Sequence, residues 1–168
     1  MAAVGLTAAH HGFELASGIG LVLQPELGLP GSALVWGVQL PAWGVLAARG
    51  STRWDGVVAA SSGVSLAGAL VHFVLWPWHR NRIGLPALTE AEGLPKSALP
   101  AYNVILQSWA AASALAILFE VGRGKRRWSL VGVGALPVLY VSARHHFTWI
   151  NDEAAERPAW WNRAIGRV

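Results

Sequence analysis

The sequence contains no cysteine among its 168 residues. This absence excludes disulfide bonds, thiolate catalysis and metal or haem sites with cysteine ligands, and it leaves the redox compartment undecided. Charged residues are scarce as well, because they make up 13% of the chain, whereas soluble domains carry about 25%. Apolar residues, by contrast, are abundant and form 54% of the sequence.

Long stretches of the chain carry no charge at all. They separate Glu26 from Arg49, Asp55 from Arg80, and Lys96 from Glu120. Each exceeds the run of about 20 residues that a helix needs to cross a bilayer. The pattern predicts an all-α protein, a polytopic membrane helical bundle with about five transmembrane helices at residues 4–23, 32–48, 56–78, 99–122 and 128–150.

The connections between these spans are short, except for residues 79–98. Residues 24–31 are rich in proline and glycine and predict a turn. Residues 1–150 therefore form the predicted bundle, and residues 151–168 form a polar tail that we expect at the membrane interface. We expect the bundle to be integral to a membrane. The membrane we expect is the bacterial cytoplasmic membrane. Sequence leaves its oligomeric state open.

The formal net charge of +4 comes from basic residues in the short loops. Such charges are typical of the flanks of membrane spans. We therefore expect no nucleic acid among the partners, which should be membrane lipid and a lipophilic small molecule.

Glu14 is the most informative residue, because an ionisable group near the middle of a span costs about 2.5 to 3.5 kcal/mol to insert. His10 lies one helical turn before it. Away from water the protonated carboxylic acid is favoured, so Glu14 is a candidate general acid. His10, Glu120 and Tyr140 are candidates to orient it or to take a proton back.

Polar and aromatic side chains at similar depth predict an intramembrane cavity. The ten tryptophans of the chain exceed what interface belts require, and an inward-facing indole stabilises a cation. The predicted substrate-binding residues are Trp36, Gln39, Trp43, His72, Tyr102, Asn103, Gln107, Trp109, Arg144 and His145.

Other chemistries were weighed against acid–base chemistry. His10 and Glu14 are spaced as a metal-ligand pair, and His72 with His145 or His146 would suit haem b. A small transporter or ligand-binding membrane protein is a further alternative. We predict an enzyme that isomerises or cyclises an isoprenoid after protonation, and that uses no cofactor and no metal.

Two resemblances point the same way. The run His10-His11-Gly12-Phe13-Glu14 is similar to the His-x-x-x-Glu step of the emopamil-binding sterol isomerase family. The general plan resembles the small integral-membrane terpene cyclases, which cyclise a prenylated product by protonation. The latter resemblance implies a second acidic residue, for which Glu120, Asp55 and Asp152 compete.

Overall fold

The computed structural model describes residues 1–91 and 93–163. The described residues are mostly helical, which agrees with the all-α part of the prediction. The helices are α1 (Ala2–Ser17), α2 (Gln24–Ala48), α3 (Asp55–Leu75), α4 (Leu99–Leu115), α5 (Trp128–Val133) and α6 (Leu136–Glu156). Between α3 and α4 lie two short antiparallel strands, β1 (Trp78–Arg80) and β2 (Pro86–Leu88), which an all-α prediction did not include.

Among the described residues, three helical segments are long and apolar enough to cross a membrane. They are Gln24–Ala48, Thr52–Leu75, which includes a short turn before α3, and Leu99–Glu120, in which α4 continues into a wider helical turn. They correspond to the second, third and fourth predicted spans. The first and fifth predicted spans differ from the helices that form there.

The first helix is shorter than predicted. Helix α1 has 16 residues and ends at Ser17, because Gly18 adopts a left-handed conformation with φ 85°. Its N–H group then caps the helix by donating to the carbonyl groups of Glu14 and Leu15. Glu14 therefore lies in the last turn of α1, and the prediction that it lies near the middle of a span ending at residue 23 was wrong.

Helix α2 begins where a turn was expected. The Gln24 side chain accepts a hydrogen bond of 2.8 Å from the Leu21 N–H group, and Pro25 stands at the first turn, where proline suits a helix. The backbone leaves helical geometry only at Gly28 within this helix, with φ 65°. Residues 24–31 are thus a kinked first part of α2.

The fifth predicted span is divided in two. Helix α5 ends at Val133 and α6 begins at Leu136, with Pro137 in its first turn. Helix α6 then continues to Glu156, beyond the predicted end at residue 150. In the predicted tail, the Trp161 ring stacks on Trp149 with 6.0 Å between centroids. Residues 164–168 of that tail lie outside the described residues.

Helices α3 and α5 cross at two glycines. A Cβ atom at Gly63 would overlap the carbonyl oxygen of Ser129, and one at Gly132 would overlap the carbonyl oxygen of Ala60. Small residues allow such a close backbone approach and are a common device for joining helices in membranes.

We expect Gly63→Ala to destabilise the protein by about 2 kcal/mol, because relieving the overlap must separate α3 from α5. The measurement is the midpoint of thermal unfolding in detergent. Gly5→Ala is the matched control, since a Cβ atom there meets nothing within 4 Å and alanine favours a helix by up to about 1 kcal/mol. Equal midpoints for the two variants would contradict the close crossing.

The long connection at residues 79–98 is more than a linker. Besides the two strands, it contributes Leu88, Ala91 and Leu94 to the buried core, where they join Tyr102 and Leu106 of α4. The described part of the connection therefore packs as an integral layer on the bundle.

Candidate functional site

Four side chains surround the buried carboxyl group of Glu14, which is 3% exposed. The hydroxyl of Tyr102 donates to its Oε1 atom at 2.9 Å. The Nε2 atoms of His10 and His72 lie 3.2 and 3.6 Å from the same oxygen. The Nδ1 atom of His11 lies 3.4 Å from Oε2. Helices α1, α3 and α4 thus converge on one carboxyl group.

The α1 sequence explains two of these contacts. Residues three and four positions apart are neighbours on a helix surface. His11 and His10 precede Glu14 by those two intervals, so each reaches a different carboxyl oxygen. His10 was predicted and His11 was missed. The three-residue interval between His11 and Glu14 is the signal that would have identified His11.

Aromatic rings enclose the two α1 histidines. The His10 ring stacks against Trp109 at 4.5 Å between centroids and against Tyr102 at 5.7 Å. The His11 ring lies 4.0 Å from the Trp36 ring. The imidazoles are therefore held in fixed positions by rings from α2 and α4.

Trp109 is itself held by a hydroxyl group of α3. Its Nε1 atom donates to Ser65 Oγ at 2.5 Å, and the hydroxyl groups of Thr7 and Ser113 also lie within 3.2 Å of that oxygen. Gly68 leaves room for the indole, because a Cβ atom there would come within 2.9 Å of it. The Ser65 hydroxyl thereby links α3 to α1 and α4 by hydrogen bonds.

Beside Glu14 lies a cavity of about 290 Å³, close to the lower end of the range for small-molecule sites. Most of its lining surface is apolar, although about half of the lining residues are polar. The predicted residues that line it are His10, Glu14, Trp36, Gln39, Trp43, His72 and Trp109. Tyr102 joins them through its hydrogen bond to Glu14. The structure therefore brings eight predicted residues to one place.

The hydrogen bond of His72 to the backbone defines which of its ring nitrogens carries a hydrogen. Its Nδ1 atom lies 2.8 Å from the carbonyl oxygen of Gly68, which can only accept, so Nδ1 carries a hydrogen. In a neutral ring, Nε2 then presents a lone pair toward Glu14. Two acceptors facing each other favour a proton between them, either as a carboxylic acid or as an imidazolium. The pair is thus suited to hold one transferable proton.

Four predicted residues lie elsewhere. Arg144 and His145 are exposed, and His145 lies 3.5 Å from Glu26. The Tyr140 hydroxyl accepts from Arg144 at 3.4 Å. Glu120 is exposed and pairs with the N-terminal amine at 3.7 Å. Because that amine begins α1 and Glu14 lies near its end, about 20 Å separates the two carboxyl groups at 1.5 Å per residue.

Asn103 and Gln107 bind the connection between α3 and α4. The Asn103 amide oxygen accepts from the Leu88 N–H group at 2.7 Å, and its nitrogen donates to the Leu88 carbonyl at 3.1 Å. Gln107 donates to the carbonyl of Pro86 at 2.7 Å. Both side chains pair with β2, and neither lines the cavity.

We expect Asn103→Ala to lower the free energy of unfolding by about 2 kcal/mol or more, because two buried backbone groups of Leu88 lose their partner. Thermal unfolding in detergent measures this. Asn81→Ala is the matched control: Asn81 also accepts from two N–H groups, those of Ile83 and Leu85, but these groups are exposed. A larger loss in the control would contradict the structural role of Asn103.

His146 is a cavity-lining residue that was not among the predicted site residues. Its Nε2 atom lies 3.1 Å from the carbonyl oxygen of Ile19. Its neighbour His145 was chosen instead. Only the rotation of α6 decides which of two adjacent histidines faces inward, and the sequence offered no periodic pattern strong enough to fix that rotation.

Protein-family models, curated proteins and solved structures give no match to this chain. The site must therefore be interpreted from its own chemistry. That chemistry consists of a buried carboxyl group, three imidazoles, a phenol and an adjoining apolar cavity with tryptophan walls.

Proposed function

We propose that the chain is an integral-membrane enzyme of about five spans, for which the bacterial cytoplasmic membrane is the expected location. The three long apolar helices support membrane association. Large apolar side chains on the outside of the helices add to this support, among them Leu34, Val38, Val74, Phe119 and Val138. Lipid would cover these side chains.

The reaction we propose is an acid-initiated isomerisation or cyclisation of a lipophilic isoprenoid. The observation that carries this proposal is the placement of Glu14 on the wall of an apolar cavity, with a hydroxyl and imidazoles around its oxygens. An alkene in the cavity would lie beside a proton donor with little water nearby.

In the proposed reaction, the Glu14 proton adds to one alkene carbon, and the other alkene carbon becomes cationic. A C–H proton elsewhere in the substrate then passes back to the carboxylate. A new double bond forms, Glu14 is restored, and the product is an isomer of the substrate. If a second alkene attacks the cation before that loss, the product is a ring.

Tyr102 and His72 have complementary roles in this scheme. Tyr102 donates to Oε1 and stabilises the carboxylate left after proton transfer. His72 lies beside the same oxygen and supplies or receives the proton between turnovers. Trp36, Trp43 and Trp109 line the cavity and stabilise the cation through their ring faces.

The test uses the purified full-length chain in lipid nanodiscs and D₂O buffer. Polyprenyl alcohols, prenylated quinones and sterols are supplied separately, and the lipids are analysed by mass spectrometry. We expect carbon-bound deuterium in an isomerised product of at least one class, because the added proton derives from solvent. No deuterium in any class, or the same incorporation by Glu14→Gln, would refute the proposal.

The absorption spectrum of the same preparation distinguishes the haem b alternative. A Soret band from protein purified without added haem would replace the acid–base proposal by a redox function. His72 and His146 line the same cavity, so His146→Ala would then remove the band.

A further inference from the structure

Three potential metal ligands converge beside the cavity. His10, Glu14 and His72 each offer one ligand atom, and the three atoms lie within 4.8 Å of one another. Around a tetrahedral zinc ion with bonds of about 2.0 to 2.1 Å, ligand atoms stand about 3.3 Å apart. The distances from His10 Nε2 and His72 Nε2 to Glu14 Oε1, 3.2 and 3.6 Å, are close to that separation.

The lone pairs are arranged for metal binding. The hydrogen bond from His72 Nδ1 to the Gly68 carbonyl leaves Nε2 as the ligand atom. Metal-binding histidines characteristically donate their other ring N–H to such a carbonyl. On His10, Nε2 faces Glu14, and Nδ1 has no hydrogen-bond partner among residues 1–91 and 93–163. In the tautomer with the hydrogen on Nδ1, the Nε2 lone pair of His10 points toward Glu14 and can bind an ion.

The ligand types select the class of ion. Two imidazoles and one carboxylate suit zinc and similar transition metals, whereas magnesium and calcium prefer oxygen ligands. All three residues are buried, yet all three line the cavity. An ion held by them would therefore keep a coordination position open toward the cavity, as ions with three protein ligands do.

We propose that His10, Glu14 and His72 form a binding site for one divalent transition-metal ion of the zinc class. The ion occupies the same lone pairs that hold the transferable proton, so metal and proton exclude each other. Metal binding stands on the ligand geometry alone. Its inhibitory consequence rests on the proposed function, since the acid of the reaction is lost when the ion binds.

The experiment is isothermal titration of the full-length protein in detergent with zinc chloride, after chelator treatment and dialysis. We expect one ion per chain, and at least about 10-fold weaker binding for both His72→Gln and Glu14→Gln. His79→Gln is the matched control, because His79 is an exposed residue of β1. No saturable binding, or undiminished binding by the His72 variant, would overturn the proposal.

Two further measurements keep the test decisive. Thermal unfolding with and without zinc shows whether each variant folds, and a bound ion must raise the midpoint of the parent protein. If His72→Gln does not fold, His10→Gln replaces it and must show the same weakened binding. Zinc binding without deuterium transfer in any isoprenoid class would uphold the metal site and refute the enzyme. Deuterium transfer without zinc binding would do the reverse.

Discussion

Glu14→Gln is expected to fold at least as well as the parent protein and to lose about 10²-fold or more of its turnover. Glutamine is nearly isosteric, and its amide oxygen can still accept the hydrogen bond from Tyr102. It removes the cost of burying a charge. It cannot release a proton, so the acid-initiated step loses its donor.

The measurement is the rate of deuterium incorporation beside the thermal midpoint of the same preparation. Glu26→Gln is the matched control, because the Glu26 side chain is 52% exposed and lies 3.5 Å from the exposed His145. We expect that variant to retain the parent rate. Normal turnover in Glu14→Gln would show that the carboxyl is structural, serving as a hydrogen-bond acceptor for its neighbours.

The main features of the fold followed from charge-free stretches, because long apolar runs leave few alternatives to a helix. The residues at which the helices end could not be predicted from these stretches. Gly18 ends α1 six residues after Gly12, which the same helix tolerates. A glycine ends a helix when the residues after it make contacts outside the helix. Ile19 makes such contacts, because it packs in the buried core together with residues of α4. Such packing is long-range and leaves no local signal.

In the candidate site, too, contacts within one helix could be predicted from the sequence, whereas contacts between helices could not. The pairing of His10 with Glu14 is a property of one helix and was read from spacing. The approach of His72, Tyr102 and Trp109 required the relative rotation of three helices. They were selected as polar or aromatic residues expected to face inward, and helix packing brought them to Glu14. The same criterion also selected Asn103, whose amide instead pairs with a strand.

The error at Glu120 has a geometrical cause. A second acid was expected near a Glu14 in the middle of a span, but Glu14 lies in the last turn of α1. Glu120 pairs with the amine at the other end of α1, so the length of that helix separates it from Glu14. The partners that the structure gives to the Glu14 carboxyl are a phenol and imidazoles.

Trp109→Leu is expected to lower turnover by about 10-fold or more and to yield products released before the reaction is complete. Trp109 is 4% exposed, lines the cavity and stacks on His10. Leucine supplies an apolar surface but no ring face, so a cation in the cavity loses up to about 2 kcal/mol of stabilisation. Loss of the indole also frees the His10 ring to turn away from Glu14.

Trp109→Phe separates these effects, because it retains a ring face but removes the N–H donor to Ser65. We expect Trp109→Phe to keep more activity than Trp109→Leu and to restore the parent products. Trp160→Leu is the control for tryptophan loss, since Trp160 is 55% exposed. Product distributions measured by mass spectrometry decide the matter. Parent products formed at the parent rate by both variants would mean that Trp109 only fills space. The cation would then have to be stabilised by Trp36 or Trp43.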